Sequence, residues 1–217
     1  MIPVHVLGQQ NTIFNRFMSE LRDAVIQKDR LRFRRNLERA GEIMAYEISK
    51  TMTYVTKDVE TPLGIAPCRV PSEEPVLACV LRAGLPLHKG LQNYFDHADN
   101  AFLSAFRKHT SPNTFDIEIE YLASPDLDNR LLILADPMLA TGASMVLAHR
   151  AYLNRGAPSH THLVAVIAST FGVDYVKKHM PANCTLWIGE IDDELTAQGY
   201  IVPGLGDAGD LAFGEKL

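Results

Sequence analysis

Residues 130–144 read RLLILADPMLATGAS, and this stretch decides the fold. RLLILA is a short apolar run of the kind that forms a strand buried on both faces of a parallel sheet. The loop DPMLATGAS follows, and then residues 144–156, SMVLAHRAYLNRG, which have the pattern of a helix ending at a glycine. The stretch predicts a strand, a loop at the strand's carboxyl end and a helix of an α/β fold.

Further apolar runs extend this pattern along the chain. They are VLACVL (76–81), NAFLSAF (100–106), HLVAVIAS (162–169) and TLWIGEI (185–191), with helical segments at 87–95 and 171–180. Strands that alternate with helices predict a central, mostly parallel sheet flanked by helices. In contrast, FDIEIEYL (115–122) alternates apolar and acidic residues, which indicates a half-exposed antiparallel strand in a flap or hairpin.

The N-terminal third lacks the alternation of apolar strands and helices and begins instead with a long helical segment. Residues 20–50 predict a helix with an approximate apolar stripe, made of Leu31, Leu37, Ile43, Met44 and Ile48. The charge run KDRLRFRR (28–35) suits a nucleic-acid patch, but a solvated helix face balanced by Asp29 and Glu38 is the favoured interpretation. YVTKDVETPLG (54–64) predicts a strand pair or arm with a Pro-Leu-Gly turn.

Bulk composition limits the class of protein. With 217 residues, the chain suits one domain, and its net charge of -5, from 21 basic and 26 acidic residues, gives no general attraction to nucleic acid or an anionic membrane. Neither a leader sequence nor an apolar stretch near the roughly 20 residues of a membrane span is evident. Three widely spaced cysteines, Cys68, Cys79 and Cys184, suggest reduced thiols in a cytoplasmic protein.

The loop Asp136–Ser144 has the chemistry of a phosphate cradle. Backbone N–H groups at a helix N-terminus favour an anion, and the hydroxyls of Thr141 and Ser144 add donors. The lysine of a P-loop is missing, so a nucleoside triphosphate is not expected. Asp136, at the strand tip, suits sugar hydroxyls. On local chemistry alone, an ordinary turn with Ser144 as helix N-cap is an equal alternative.

PGLGDAGD (203–210) contains Gly204, Gly206 and Gly209 in the G-x-G-x-x-G spacing of a dinucleotide-binding turn. That fingerprint has meaning only between a strand and a helix of a βαβ unit. No helix and return strand fit into the following LAFGEKL, and no acidic residue can follow at the usual distance. The dinucleotide interpretation is therefore rejected.

Several motifs together resemble the uracil phosphoribosyltransferases, a family with the type I phosphoribosyltransferase fold. DPMLATGAS resembles the motif that binds phosphoribosyl pyrophosphate (PRPP), and LRAGL (81–85) resembles the pyrophosphate loop. GYIVPGLGDAGDLAFG (199–214) is similar to the family's uracil-binding end, and RFRRNLERAGEIMAYE to its N-terminal helix. The resemblance covers residue 30 onward and implies a central mostly parallel sheet flanked by helices, a β-arm or flap, and a C-terminal base-binding hood.

The resemblance implies a glycosyltransferase of pyrimidine salvage that makes UMP and pyrophosphate from uracil and PRPP. Its expected transition state is oxocarbenium-like, with charge on the leaving pyrophosphate. Catalysis then needs positioning and anion stabilisation more than a covalent nucleophile. Magnesium ion, Mg²⁺, would be the cofactor and would be held mainly by PRPP oxygens and water. The pair His160 and His162 is more typical of a structural role than of a metal site.

The resemblance also assigns roles to residues. Arg82 and Arg107 match two PRPP-binding arginines, whose guanidinium groups suit phosphate oxygens, although a surface role for Arg107 is the alternative. Asp207 matches a residue shared between base and PRPP, and with Arg107 it is the catalytic candidate. The predicted PRPP-binding set is Arg82, Arg107, Asp136, Pro137, Met138, Leu139, Ala140, Thr141, Gly142, Ala143, Ser144 and Asp207.

The family's uracil site uses the hood's main chain. Here it would combine the N–H groups of Gly206 and Ala208 with the carbonyl of Ile201, beside Asp207. This donor and acceptor pattern matches O2, N3–H and O4 of uracil. Cytosine would leave buried polar groups unpaired, which can reject an analogue by about 10⁴-fold.

Two positions depart from the family pattern. Ala143 stands where glycine is usual, and it is harmful if the position requires positive φ and harmless if φ is negative. KHTSPNTFDIEIEY also lacks the family's acidic-Thr-x-x-Pro pattern after the loop arginine, which bears on closure of the flap over PRPP.

Two rival functions stay open at this point. One is a non-catalytic regulator that binds PRPP or UMP, and the other is a transferase for another base. Orotate would need a cation near the base site, and no Lys or Arg lies between Glu190 and Asp210.

The predicted parts of the single domain are the N-terminal helices and arm (1–75), the PRPP-binding core (76–190) and the hood (191–217). The family implies a homodimer or homotetramer that exchanges the arm near residues 54–66, and GTP is a candidate activator.

Overall fold

The computed structural model describes residues 1–111 and 114–216, without the side chains of residues 105–111 and 114–118. The helices are α1 (Ile13–Arg22), α2 (Arg30–Ser49), α3 (Leu85–Gln92), α4 (Ala143–Tyr152), α5 (Thr170–His179) and α6 (Ala208–Phe213). The strands are β1 (Val4–Val6), β2 (Tyr54–Thr61), β3 (Gly64–Pro71), β4 (Val76–Leu81), β5 (Asp99–Ser111), β6 (Thr114–Ala123), β7 (Leu131–Ala135), β8 (Met138–Leu139), β9 (His160–Ser169), β10 (Cys184–Asp192), β11 (Glu194–Leu195) and β12 (Ile201–Val202).

A mixed, mostly parallel sheet forms the centre of the molecule. Its strand order is β1-β10-β9-β7-β4-β5-β6, with β8 also paired to β9. Every pairing in it is parallel except β5 with β6. The antiparallel pairing of β6 was predicted from its alternation. Ile119 packs against the core while Glu120 is exposed, and the rest of the alternating run lies outside the described side chains.

Helices cover both faces of the sheet, as the buried strands require. On one face, α4 and α5 bury Met145, Tyr152 and Val176 against β4, β7 and β9. On the other, α1, α2 and α3 bury residues such as Phe14 and Leu87 against the alternate residues of the same strands. The buried runs at β4, β7, β9 and β10 confirm the predicted α/β class.

The predicted helix over residues 20–50 is wrong at its start. The chain forms two helices, α1 and α2, because carboxylates cap the break between them. Asp23 accepts hydrogen bonds from the N–H groups of Val25 and Ile26, and Asp29 is the N-cap of α2. Leu31, assigned to the apolar stripe, is 63% exposed, whereas the rest of that stripe is buried or packs against the core.

The charge run 28–35 forms ion pairs instead of an unbalanced basic patch. Arg32 makes a two-point hydrogen bond to Glu20 of α1, with both distances 2.8 Å. Arg35 pairs with Glu38 on the surface. The favoured interpretation of a balanced helix face is confirmed, although Glu20 takes the role expected of Asp29.

An arm made of β2 and β3 forms a separate two-stranded antiparallel sheet. Its turn at Pro62-Leu63 is the predicted one, and Leu63 and Ile65 beside it are 100% and 73% exposed.

The N-terminal segment also supplies β1, which pairs in parallel with β10 at the edge of the main sheet. The three cysteines are free thiols. Among the described helices, none has the length and apolar character needed to cross a bilayer.

Candidate functional site

A cleft of about 390 Å³ opens at the carboxyl ends of β4 and β7. Ligands of open α/β sheets bind at this edge, because the loops that leave neighbouring parallel strands meet there. Three distant segments supply most of the wall: residues 80–83, residues 136–145 in part, and residues 207–209 of the hood. Residues 198–200 and Lys216 complete it. The predicted site residues on its wall are Arg82, Asp136, Met138, Leu139, Ala140, Thr141, Gly142, Ser144, Asp207 and Ala208.

The loop after β7 presents a helix N-terminus to this cleft. Gly142 is the N-cap of α4 with φ of +77°, and a Cβ on it would lie 2.8 Å from the carbonyl oxygen of Gly172. Glycine is therefore required both by the backbone angle and by the packing. The alternative that Ser144 is the N-cap is wrong. Ser144 lies inside the helix, and its N–H and that of Met145 belong to the first turn, where no intrahelical acceptor exists.

Ala143 does not strain the loop. Among the described residues, Asn129 is the one non-glycine with positive φ, so Ala143 has the negative φ of an ordinary first helical residue. Its N–H donates to the hydroxyl of Thr141 at 3.4 Å. Of the predicted PRPP-binding residues in this loop, Ala143 and Pro137 are the two that do not line the cleft.

Asp136 lies at the tip of β7 and faces the cleft. Burial raises the pKa of its carboxyl group to about 6, and the hydrogen bond from the Met138 N–H offsets this only in part. The residue is partly exposed to the cleft, and its carboxylate has no cationic partner among the described residues. It is a strong acceptor for a hydroxyl-bearing ligand in the cleft.

Arg82 connects the loop after β4 with the C-terminal hood. Its Nη2 donates to Oδ1 of Asp210 at 2.9 Å and to the carbonyl oxygen of Gly214 at 2.8 Å. Its buried Nε has no acceptor among the described residues. Arg107, the second predicted arginine, lies on β5 opposite Ile117, and its side chain lies outside the described residues.

The hood approaches the cleft through α6. Asp207 is the N-cap of this helix, and its carboxylate accepts from the N–H of Asp210 at 2.9 Å. The short helix α6 begins inside the glycine-rich stretch, at Ala208, and no strand follows it among the described residues, so the helix and return strand of a βαβ unit are not both present, as expected. Gly206 has φ of +90°. Of the predicted uracil site, Asp207 and Ala208 line the cleft, whereas Gly206 and Ile201 do not.

A partly buried ion-pair cluster holds the hood loop, residues 203–207, in place. Arg22 of α1 donates to both carboxylate oxygens of Asp192 at 2.8 Å and to Glu190 at 2.5 Å. Both backbone groups of Gly204 join it: its N–H donates to Asp192 at 2.8 Å and its carbonyl accepts from Arg22 at 3.2 Å. Burial opposes ionisation of Asp192, but the hydrogen bonds from Arg22 and Gly204 together lower its pKa.

Sequence reasoning missed several cleft residues. Gln198, Gly199, Tyr200, Met145 and Lys216 line the wall without having been assigned to it. Gly199 and Tyr200 belong to the stretch that resembles the uracil-binding end, so that resemblance could have included them. Lys216 carries no such signal, because only the folding of the tail onto the cleft brings it there.

This chain is similar to known proteins in both sequence and structure. The uracil phosphoribosyltransferase family model matches residues 8–215. The uracil phosphoribosyltransferase of Porphyromonas gingivalis is 58% identical over 211 residues, which cover 97% of this chain and 98% of that protein. The structure of the AQ2163 protein from Aquifex aeolicus has a TM-score of 0.86 at 27% identity and covers 97% of this chain and 98% of that one.

A hypoxanthine phosphoribosyltransferase from Staphylococcus aureus shares the fold alone, with a TM-score of 0.51 at 12% identity over 86% of this chain and 84% of that one. The match to the family model spans nearly the whole sequence and includes residues 80–83, 136–145 and 207–209, which supply most of the cleft wall. This chain therefore belongs to the uracil phosphoribosyltransferase family.

Proposed function

We propose that the chain is a uracil phosphoribosyltransferase, a glycosyltransferase that moves the 5-phosphoribosyl group of PRPP to N1 of uracil. The products are UMP and pyrophosphate, as pyrimidine salvage requires. One observation carries the proposal: a single cleft joins the pyrophosphate-loop segment, the helix-capping loop after β7 and the start of the hood. Each corresponds to one part of the reaction, namely the leaving group, the ribose phosphate and the base.

The 5′-phosphate of PRPP would bind at the N-terminus of α4. There the first-turn N–H groups of Ser144 and Met145 and the hydroxyl of Thr141 can donate to phosphate oxygens. The dipole of α4 adds positive potential at the same end. Asp136, beside this loop, would accept hydrogen bonds from the ribose hydroxyls, which orients the sugar.

The pyrophosphate would leave toward Arg82, the described arginine on the cleft wall. As the C1′–O bond breaks, negative charge grows on the pyrophosphate, and a guanidinium group that is already placed stabilises it without reorganisation. Arg107, from the flap strand β5, is proposed as the second cation for this charge. The ribose carries the complementary positive charge until N1 of uracil attacks C1′.

Uracil would bind against the N-terminus of α6. Ala208 is the first residue of that helix, so its N–H is an uncommitted first-turn donor for a carbonyl oxygen of the base. Asp207, on the same wall, is proposed to order the N1 side of the base. Gly206 and Ile201 complete the proposed site through their main chain, which requires the hood loop to close further over the bound base.

Mg²⁺ fits this cleft as an ion carried by the substrate. Among the described residues, no group of three or more His, Cys, Asp and Glu side chains is placed to hold a metal ion. The carboxylates on the cleft wall are Asp136 and Asp207, and Asp207 is the proposed protein contact. When bound, the ion would neutralise charge on the pyrophosphate.

The remaining parts of the proposal concern assembly and location. We propose a cytoplasmic homodimer or homotetramer in which the arm packs against a second copy. The two-stranded arm exposes four large apolar residues, and such groups of exposed apolar residues mark contact surfaces: Val55, Val59, Leu63 and Ile65. GTP is proposed as an activator. Sedimentation analysis, and assays with and without GTP, test these two points separately from the chemistry.

The decisive experiment is a base panel. Purified protein is incubated with Mg²⁺, PRPP and one of uracil, cytosine, orotate or hypoxanthine, and the nucleotide product is measured. The proposal predicts UMP from uracil and at least about 10³-fold lower conversion of the other bases. Conversion of another base at a comparable rate would contradict it. Binding of PRPP or UMP without turnover would instead support the regulator.

A further inference from the structure

A second cavity, of about 380 Å³, lies at the opposite end of the sheet from the cleft. Its floor is the amino ends of β1, β7, β9 and β10. Its rim comes from residues 51–53, which lead into β2 of the arm, and from Glu73, which follows β3. The Ser72 N–H donates to the Thr53 carbonyl and closes the base of the arm. We call this space the arm-root cavity.

Histidine rings form much of its wall. His160 and His162 are two residues apart on β9 and therefore lie on the same face of the strand. Their ring centroids are 4.7 Å apart. His5 of β1, also on the wall, stacks on Trp187 of β10 with centroids 4.2 Å apart and planes at 18°. Stability alone does not explain three imidazoles at one place, because apolar side chains would fill the space at lower desolvation cost.

The hydrogen bonds fix the tautomer of His162. The indole N–H of Trp187 can only donate, and it lies 3.0 Å from Nδ1 of His162, so Nδ1 accepts. Burial above all, and then the neighbouring His160 and His5, lower the pKa of His162 to about 3. The ring is therefore neutral at pH 7. The proton of the neutral ring is therefore on Nε2.

The Nε2–H group of His162 is a hydrogen-bond donor at the cavity wall. His162 is 4% exposed and its ring lines the cavity. The one hydrogen bond that its ring makes among the described residues is at Nδ1, and Nε2 is not among the buried atoms left without a partner, so Nε2–H is open to the cavity. The other polar groups on the wall differ. His160 already pairs with the hydroxyl of Thr185 at 3.0 Å, and Glu73 is exposed at the rim.

The charges of the wall select the ligand class. Glu73 is the only Asp, Glu, Lys or Arg on the described wall, and burial lowers the pKa of His160 as well as that of His162. A phosphate would meet a carboxylate and no cation, so nucleotides are disfavoured. A neutral ring compound would stack against imidazole, accept from the His162 Nε2–H and donate to Glu73 or to a threonine hydroxyl.

We propose that the arm-root cavity is a binding site for a neutral nitrogen heterocycle of the nucleoside type, recognised by the Nε2–H of His162. The site is separate from the cleft, and the inference does not depend on the proposed function. Its occupant would contact both the main sheet and the two ends of the arm, and would so restrict the orientation of the arm.

The test observes His162 directly. Full-length protein labelled with ¹⁵N-histidine is titrated with uridine or guanosine, and in parallel with UMP or GMP, while NMR monitors the imidazole nitrogens. We expect the Nε2–H tautomer for free His162. We also expect its Nε2–H signal to shift with a nucleoside Kd of about 0.1–1 mM, as for ligands of this size. The nucleotides should bind at least about tenfold more weakly.

Two variants complete the test. His162→Phe keeps a ring but removes the Nε2–H donor, and it should weaken nucleoside binding about tenfold. It also removes the acceptor of the Trp187 indole N–H, so its melting temperature is measured and binding is compared below that temperature. Thr53→Trp fills the cavity from an exposed rim position and should abolish the shift, with an unchanged melting temperature as the check on folding. The proposal is overturned if no signal shifts at about 10 mM nucleoside, tenfold above the weakest Kd expected. Binding that leaves His162 unshifted or survives Thr53→Trp also overturns it, as does equal binding of nucleotides.

Discussion

Arg22→Met tests whether the ion-pair cluster under the hood positions the base site. The substitution keeps an apolar stem but removes every hydrogen bond from Arg22 to Asp192, Glu190 and the Gly204 carbonyl. Asp192 then stays buried, with an exposed side-chain fraction of 8% and no cation. We expect the hood loop to loosen as well as the fold to lose stability.

The magnitude follows from the burial of the cluster. Removing one partner of a fully buried pair costs about 3–5 kcal/mol, and the partial exposure of Arg22 and Glu190 reduces this to about 2–3 kcal/mol. For a chain of this size the melting temperature falls by roughly 2–4 °C per kcal/mol, so we expect a loss of about 4–12 °C. Because Gly204 lies in the hood loop, the KM for uracil should rise about tenfold while the KM for PRPP changes less.

The assays are thermal unfolding and steady-state kinetics with each substrate varied in turn. Arg35→Met is the matched control, since Arg35 pairs with Glu38 on the surface with 53% of its side chain exposed. Such pairs contribute about 1 kcal/mol or less, so the control should melt within a few degrees of the wild type. Equal effects of the two variants, or an unchanged KM for uracil in Arg22→Met, would refute the reasoning.

Three further predictions concern other parts of the molecule. Glu20→Gln should lower the melting temperature at pH 7, because hydrogen bonds from Arg32 above all lower the pKa of Glu20 from 4.5 to about 2. The gap to the wild type should close as the pH falls through that range, and a constant gap down to pH 2 would be contrary evidence. Gly142→Ala should cost at least about 1 kcal/mol in the unfolding free energy, from positive φ and the contact with a backbone carbonyl. Ala143→Gly should change PRPP affinity less than about threefold, whereas Gly142→Ala should weaken it more. A larger loss of PRPP affinity in Ala143→Gly than in Gly142→Ala would count against the loop geometry. Asp136→Asn should abolish UMP synthesis yet raise the melting temperature at pH 8, since burial raises the pKa of Asp136 to about 6 and its charged form destabilises the fold. The gain should vanish near pH 4, and lower stability of the variant at pH 8 would contradict this.

Local patterns were sufficient for the sheet and the cleft loop. Strands β4 and β7 are runs of buried apolar residues, and the loop from Asp136 to Ser144 lies between a buried strand and a helix in the sequence itself. These features depend on neighbours within about ten residues, so period and turn chemistry reveal them. The same is true of the antiparallel β6 and of the arm.

Contacts between distant residues could not be predicted in this way. The pair of Arg82 with Asp210 spans 128 residues, and that of Arg22 with Asp192 spans 170. A single sequence carries no sign of such pairing, because each residue also suits a solvated surface. The break between α1 and α2 was missed for a related reason: Asp23 and Asp29 fit a helix surface as well as a cap.

The central claim is that three segments act together in one cleft, and UMP synthesis by one variant from each tests it most directly. The variants are Arg82→Met, Thr141→Val and Asp207→Asn, the last chosen because asparagine caps a helix as well as aspartate does. Measured with uracil, PRPP and Mg²⁺, each should lose at least about 10²-fold in kcat/KM and keep the wild-type melting temperature within a few degrees. Activity within about threefold of the wild type in any one of the stable variants would contradict a shared site.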